Sequence, residues 1–323
     1  MMRLAFTCGD INGIGPEICI KAFNEIYSSK KRTIFFLCPQ KVFYNTLKIV
    51  KPQFEFVVAK KNIPADSGKK VVVVDIGNYE SKYGVPTKES GQASFKSIYY
   101  AVDLVKQNYA DALITAPISK TAFTKAKINF PGHTELLALL TNSKKYQMFF
   151  LSRQMKAALA TIHEPIGRVP KLITKARIKT SIEILRLSLI YDFKIAKPKI
   201  AVLGLNPHAG EEGNIGKEEV NIIKPVIDEF TNVEGPFVPD AFFGKHSYKN
   251  FDAVLGMYHD QVLIPFKMFN FSKGVNFTAG LPIIRTSPDH GTGYDIAGKG
   301  IANAESIIEA VKWAELIFRN RNC

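Results

Sequence analysis

Short unbroken apolar runs recur along the chain, each bounded by Gly, Pro, Asn or Asp. Arg3–Cys8 (RLAFTC), Thr33–Cys38 (TIFFLC), Val71–Asp75 (VVVVD), Ala112–Ile114, Lys199–Leu205 (KIAVLGL) and Phe251–Met257 (FDAVLGM) have this form. Such runs belong to strands buried on both faces of a parallel sheet. A weaker run at Phe54–Val58 and a neighbouring pair, Met148–Leu151 and Ala157–Ile162, add further strands. Helical periodicity fills the intervals. One helix opens at Pro16-Glu17 and runs through Tyr27, with Pro and Glu as start signals. Another follows Cys38, and Ser94–Tyr109 places Ile98, Ala101, Val102 and Val105 on one face. Leu136–Leu140, a stretch within Lys171–Asp192, and the amphipathic Ala302–Arg319 complete the set. The alternation predicts an α/β fold, and 323 residues suffice for one large or two medium domains.

Composition narrows the partners. Lys plus Arg number 43 against 29 Asp plus Glu, a formal charge of +14, which favours anions such as phosphorylated metabolites or a dinucleotide. The basic residues are scattered and the Phe-rich runs lie in expected core strands, so nucleic acid is not an expected partner. No apolar run reaches bilayer length, and Met1–Cys8 is too short for a signal peptide before Gly9-Asp10. A soluble, cytoplasmic protein is expected. Cys8, Cys19, Cys38 and Cys323 have no paired or finger-like spacing, so they read as reduced thiols.

Candidate chemistry gathers at strand ends. His163, His208 and His259 each follow within three residues of an expected strand. Each alone could be a satisfied core histidine; together they suggest one divalent cation on three imidazoles, with the open position of a catalytic site. Between Met257 and Gly300 the chain also carries Lys267, Arg285, His290 and six glycines, a density that packing alone does not require. The segment GDINGIGPEI after the first strand offers Gly13 and Gly15 as two glycines of a dinucleotide fingerprint, but Ile18 stands where the third belongs. It reads either as a ligand loop or as a tight strand-to-helix turn. Ala112–Ile114 runs into Thr115, Ser119 and Lys120, where open α/β sheets place ligands. In NFPGHTE, His133 and Thr134 stand at a helix start, either holding an anion or capping the helix.

Nine ordered motifs, GDINGIGPEI, DALITAPISK, FPGHTE, HEP, GLNPHAGE, IGKEE, GPFVPDAFF, YHDQVLIPFK and GVNFTAGLPIIRTSPDHGT, span nearly the whole chain. Together they resemble the 4-hydroxythreonine-4-phosphate dehydrogenase family of pyridoxal phosphate biosynthesis. The resemblance implies two α/β/α domains with mixed, largely parallel sheets, similar to isopropylmalate and isocitrate dehydrogenases. The first would cover 1–128 with 300–323, and the second, carrying the metal and a homodimer interface, 129–299. It implies a phosphorylated small-molecule substrate, NAD or NADP, and one divalent metal (Zn, Mg or Co) on His163, His208 and His259, at a site the partner subunit helps to build. His133, Thr134, Lys267, Asn276 and Arg285 match substrate-binding positions, and His290, Gly291, Thr292 and Asp295 match a cofactor loop. The general base stays open among His133, Asp240 and a metal-bound hydroxide. Asp10-Ile11-Asn12 departs from a proline-containing form of the first loop. The rivals within this fold are a dehydrogenase of another phosphorylated four-carbon hydroxy acid and an acyl-phosphate transferase.

Overall fold

The computed structural model describes residues 2–27, 32–60, 71–130, 132–270 and 272–323. Its strands are β1 (Met2–Thr7), β2 (Arg32–Leu37), β3 (Phe56–Ala59), β4 (Val71–Val74), β5 (Ala112–Thr115), β6 (Gln147–Leu151), β7 (Lys156–Leu159), β8 (Ile200–Leu203), β9 (Val233–Phe237), β10 (Ala253–Gly256), β11 (Val275–Ala279) and β12 (Arg285–Pro288). The α-helices are α1 (Gly15–Ile26), α2 (Gln40–Leu47), α3 (Lys88–Lys106), α4 (Lys120–Lys125), α5 (His133–Leu140), α6 (Val169–Leu172), α7 (Lys175–Tyr191), α8 (Lys224–Ile227), α9 (Pro239–Gly244), α10 (His259–Asn270) and α11 (Glu305–Arg321). No helix among the described residues is long and apolar enough to cross a membrane.

The chain divides into two compact units, Met1–Lys144 with Leu281–Phe318, and Lys145–Gly280 with Arg319–Cys323. These boundaries differ from those expected at 128/129 and 299/300. Helix α5 packs on α3, and β12 pairs in parallel with β5, Arg285 opposite Leu113, so both belong to the first unit. The last residues belong to the second because Arg321 Nε reaches the buried Asp192 carboxylate at 2.6 Å.

In the first unit the strands run in the order β3-β4-β2-β1-β5-β12, every pair parallel. Apolar residues cover both faces of the central strands, as the unbroken runs require. Phe6, Phe23 and Phe36 join β1, α1 and β2 through edge-to-face contacts at 4.9 and 5.2 Å. Helix α3 starts at a reciprocal Thr87–Ser90 capping box. Its buried Ser94 and Ser97 donate to Gly9 O and Leu37 O at 2.9 and 2.6 Å, holding the helix against the strand ends. Burial raises the Cys19 and Cys38 thiols well above their ordinary range, so these free cysteines stay protonated and unreactive.

In the second unit the order is β11-β6-β7-β10-β8-β9. The pairs β11–β6 and β6–β7 are antiparallel, and β7, β10, β8 and β9 run parallel. Phe150, Leu159, Leu203, Val254, Val262 and Phe266 form its core between this sheet and α10. Strand β9 and the short helices α4, α8 and α9 have no counterpart in the sequence reading, and three further elements lie where it places a site. His259–Asn270 is a helix although Pro265 lies inside it, and Val275–Ala279 and Arg285–Pro288 are strands within what reads as a glycine-rich loop.

Candidate active site

In the second unit the parallel order β7-β10-β8 puts three strand ends side by side, and each leads to a histidine. The ends are tied to one another. Ala160 N–H donates to Gly256 O at 2.8 Å, and Thr161 Oγ1 donates to Met257 O at 2.6 Å. Gln261 accepts from Met257 N–H at 2.7 Å through its carbonyl and donates to Gly204 O at 2.6 Å. One buried amide thus bridges the ends of β10 and β8, four backbone positions before His208. The rings of His163 and His259 lie 5.7 Å apart, centroid to centroid. His259 Nδ1 meets Asp260 Oδ1 at 2.7 Å, the arrangement in which a carboxylate holds one imidazole nitrogen and turns the other outward.

His208 lies in a different setting. His208, Ala209, Gly210, Glu211 and Glu212 have φ of 53, 51, 79, 45 and 54°, one turn of left-handed helix. This conformation costs roughly 1–2 kcal/mol for each residue bearing a Cβ. The turn is held by the buried Glu219. Its Oε1 accepts from Leu205 N–H and Asn206 N–H, both at 2.7 Å, and its Oε2 accepts from Asn206 Nδ2 at 2.9 Å. A Cβ on Gly210 would stand 2.6 Å from Glu219 Oε2. Among the described residues no group of three His, Cys, Asp or Glu side chains could hold a metal; His163 and His259 pair, and His208 stands on its own turn.

The same unit carries Lys267, half-buried on α10, and Asn276 on β11, whose Oδ1 is enclosed without a hydrogen-bond partner. Asp240 is exposed in the first turn of α9.

In the first unit, Arg285 on β12 is 2% exposed. Its Nε and Nη2 both donate to Thr115 Oγ1, at 3.0 and 2.8 Å, at the carboxyl end of β5. Burial draws the guanidinium down to about 9, with the Glu135 charge acting against that fall. Helix α5 begins beside it. Gly132 is its N-cap and gives no side-chain cap; Pro131 lies outside the described residues. Thr134 is buried, and His133 Nε2 is enclosed with no hydrogen-bond partner. Burial first, and then the Arg285 charge, hold His133 well below the ordinary imidazole range, so it is neutral at physiological pH. A buried cation, a neutral imidazole with an unused nitrogen and the open amides of a helix start together suit an anion.

The loop after β12 carries His290, Gly291, Thr292 and Asp295. His290 Nδ1 faces Gly291 O at 3.1 Å, and Asp295 is exposed. This loop accounts for one glycine of the first loop, Gly13. Ile14 N–H donates to Thr292 O at 2.8 Å, and a Cβ on Gly13 would lie 2.5 Å from that oxygen. Gly13 makes room for a neighbouring backbone. Thr115 lies at the strand end that the sequence marks as a ligand position, whereas Gln261, Asp260 and Glu219 carry no such mark; Asp260 and Gln261 adjoin His259 in YHDQ and Glu219 ends IGKEE.

Residues 30–314 match the family described as Pyridoxal phosphate biosynthetic protein PdxA. The chain is 42% identical to 4-hydroxythreonine-4-phosphate dehydrogenase of Sulfurihydrogenibium sp. (strain YO3AOP1), over 99% of this chain and 100% of that one. It is similar in structure to 4-hydroxythreonine-4-phosphate dehydrogenase from Klebsiella pneumoniae, with TM-score 0.84, 34% identity and 98% of each chain covered. Isocitrate dehydrogenase from Methylococcus capsulatus shares the fold alone, at TM-score 0.51 and 14% identity, over all of this chain and 87% of that one. With the family matched across most of its length and relatives matched end to end, the chain belongs to the pyridoxal phosphate biosynthetic PdxA family.

Proposed function

We propose that the chain is a 4-hydroxythreonine-4-phosphate dehydrogenase. It oxidises the C3 hydroxyl of 4-phosphooxy-L-threonine, passing hydride to NAD⁺ or NADP⁺ and a proton to a base. The product, 2-amino-3-oxo-4-phosphobutanoate, carries a ketone β to its carboxylate and loses CO₂ to give 3-amino-2-oxopropyl phosphate. The observation that carries this reading is the buried Arg285 cation beside neutral His133, whose enclosed Nε2 has no partner. Such a pair calls for a strongly charged, hydrogen-bonding ligand group, and a phosphate monoester is one.

Arg285 would hold the phosphate through its planar fork, with His133, Thr134, Lys267 and Asn276 as further substrate contacts. Binding at the phosphate orients the reacting carbon. His163 and His259 fit a divalent cation: their ring separation is one that two ligands of a common ion span, with each nitrogen about 2 Å from a zinc. Asp260 leaves His259 Nε2 as the ligating atom. His208 would complete the set, with a second copy of the chain contributing to the site. The cation, Zn, Mg or Co, supplies a Lewis acid that polarises the substrate hydroxyl. Helix α10 supports the homodimer: it begins at His259 and exposes Ile264 and Met268 at 60% and 77% one turn apart, an apolar face of the kind that partners cover. His290, Gly291, Thr292 and Asp295 would contact the dinucleotide, and His133 or Asp240 would take the hydroxyl proton.

The direct test is NADH formation by the purified protein from 4-phosphooxy-L-threonine, with and without added divalent cation. Cation-dependent NADH is expected. Turnover only with an analogue lacking the amino group, or undiminished turnover after exhaustive chelation, would contradict the reading.

A further inference from the structure

The segment Gly9–Lys21 is tied to the loop 290–302 at three successive places, all within the first unit. Near the start, Ile14 N–H donates to Thr292 O at 2.8 Å, and Gly13 packs against that carbonyl. In the middle, Tyr294 Oη donates to Asp10 Oδ2 at 2.9 Å. Near the end, Glu17 accepts from Ala302 N–H at 2.9 Å and from Gly300 N–H at 3.3 Å. Lys21, one turn along α1, donates to the carbonyls of Gly300 and Ala302 at 2.8 and 2.6 Å and pairs with Glu17 at 3.0 Å.

Two carboxylates therefore do the holding, and both are buried, Asp10 at 0% and Glu17 at 3% exposure. Asp10 is fixed in turn by Asn12 N–H at 2.9 Å and Ser90 Oγ at 3.0 Å. Buried carboxylates are retained where they organise hydrogen-bond donors, and every donor here lies on one of these two segments or on α3. A phosphate-cradling loop has the opposite character, with amides free for the ligand and glycine space open to it. Here the Gly13 space is taken by Thr292, and Asp10 and Glu17 would repel a phosphate.

We infer that the GDINGIGPE segment is a clamp for the dinucleotide loop: Asp10 and Glu17, through Tyr294, Gly300 and Ala302, are positioning residues that hold 290–302 in its dinucleotide-binding form. This rests on the assignment of His290, Gly291, Thr292 and Asp295 to the cofactor under the proposed function. Pre-forming such a loop removes its ordering cost from the binding step.

The test compares the wild-type protein with Tyr294→Phe, which removes one hydroxyl, and Glu17→Gln, which keeps one acceptor oxygen. The readouts are the NADH dissociation constant by fluorescence, the separate KM values for NAD⁺ and 4-phosphooxy-L-threonine, and hydrogen exchange of 290–302. Each variant is expected to weaken NADH binding about tenfold, the worth of one charge-assisted hydrogen bond. KM for NAD⁺ should rise, KM for the phosphorylated substrate should stay within about twofold, and faster exchange should be confined to 290–302 and its partner segment. Faster loop exchange with unchanged NADH affinity would overturn the clamp while leaving the enzyme reading in place. No NADH binding by the wild-type protein would overturn that reading, and the inference with it. Equal rises in both KM values would show a general loosening and contradict a positioning role.

Discussion

Burial, and after it the Arg285 charge, set the ionisation of His133. The guanidinium stays charged despite burial, and that charge, with burial, keeps the imidazole neutral. Thr115→Val removes the hydroxyl that accepts both Nε and Nη2 of Arg285; it should destabilise the protein by about 1–3 kcal/mol in urea unfolding, the usual cost of unsatisfying a buried polar group. The pH dependence has a definite sign. The folded pKa of His133 lies below the value near 6.5 of an unfolded chain, so its contribution to stability is complete above about 6.5 and is lost as pH falls below it. His133→Asn should flatten that part of the stability profile, and an unaltered slope between about pH 7 and pH 5 would assign it elsewhere.

At the scale of elements, the left-handed turn at His208–Glu212 is the most demanding piece of backbone in the second unit. Gly210→Ala adds a Cβ at φ 79° and 2.6 Å from Glu219 Oε2, so a loss of about 2 kcal/mol or more is expected from strain and contact together. Equilibrium unfolding measures it, and a neutral substitution would mean that the turn relaxes freely. Nothing in GLNPHAGEEG announces this conformation, since four of its five left-handed residues bear a Cβ. The central strands were legible because burial on both faces leaves only apolar side chains there, as in VVVV of β4. Strand β12, reading RTSP, was not: its polar residues are buried by partners such as Thr115, which no local pattern reveals. Helix α10 was hidden by Pro265, which reads as a break. The histidines were found as strand-end residues, but Gln261 and Glu219, which organise those ends, act through tertiary contacts and carry no local signature.

At the scale of the whole molecule, the alternation of strand and helix forecast the fold class, while the unit boundaries moved because β12 and α5 join the first sheet's layer through long-range pairing. The proposed homodimer makes the exposed face of α10 part of the functional molecule. Ile264→Asp with Met268→Asp should shift the protein from dimer to monomer in sedimentation analysis and lower its bound metal together with turnover; a metal-loaded, active monomer would refute a shared site. The central claim is that Arg285 holds the substrate phosphate, and its most direct measurement is a cycle of kcat/KM. Wild type and Arg285→Ala would each be assayed with 4-phosphooxy-L-threonine and with the same amino acid lacking the phosphoryl group. The variant is predicted to lose about a hundredfold with the phosphorylated substrate, the scale of a charged hydrogen-bonded contact, and to differ little from wild type with the other. Equal losses on both substrates would contradict the assignment.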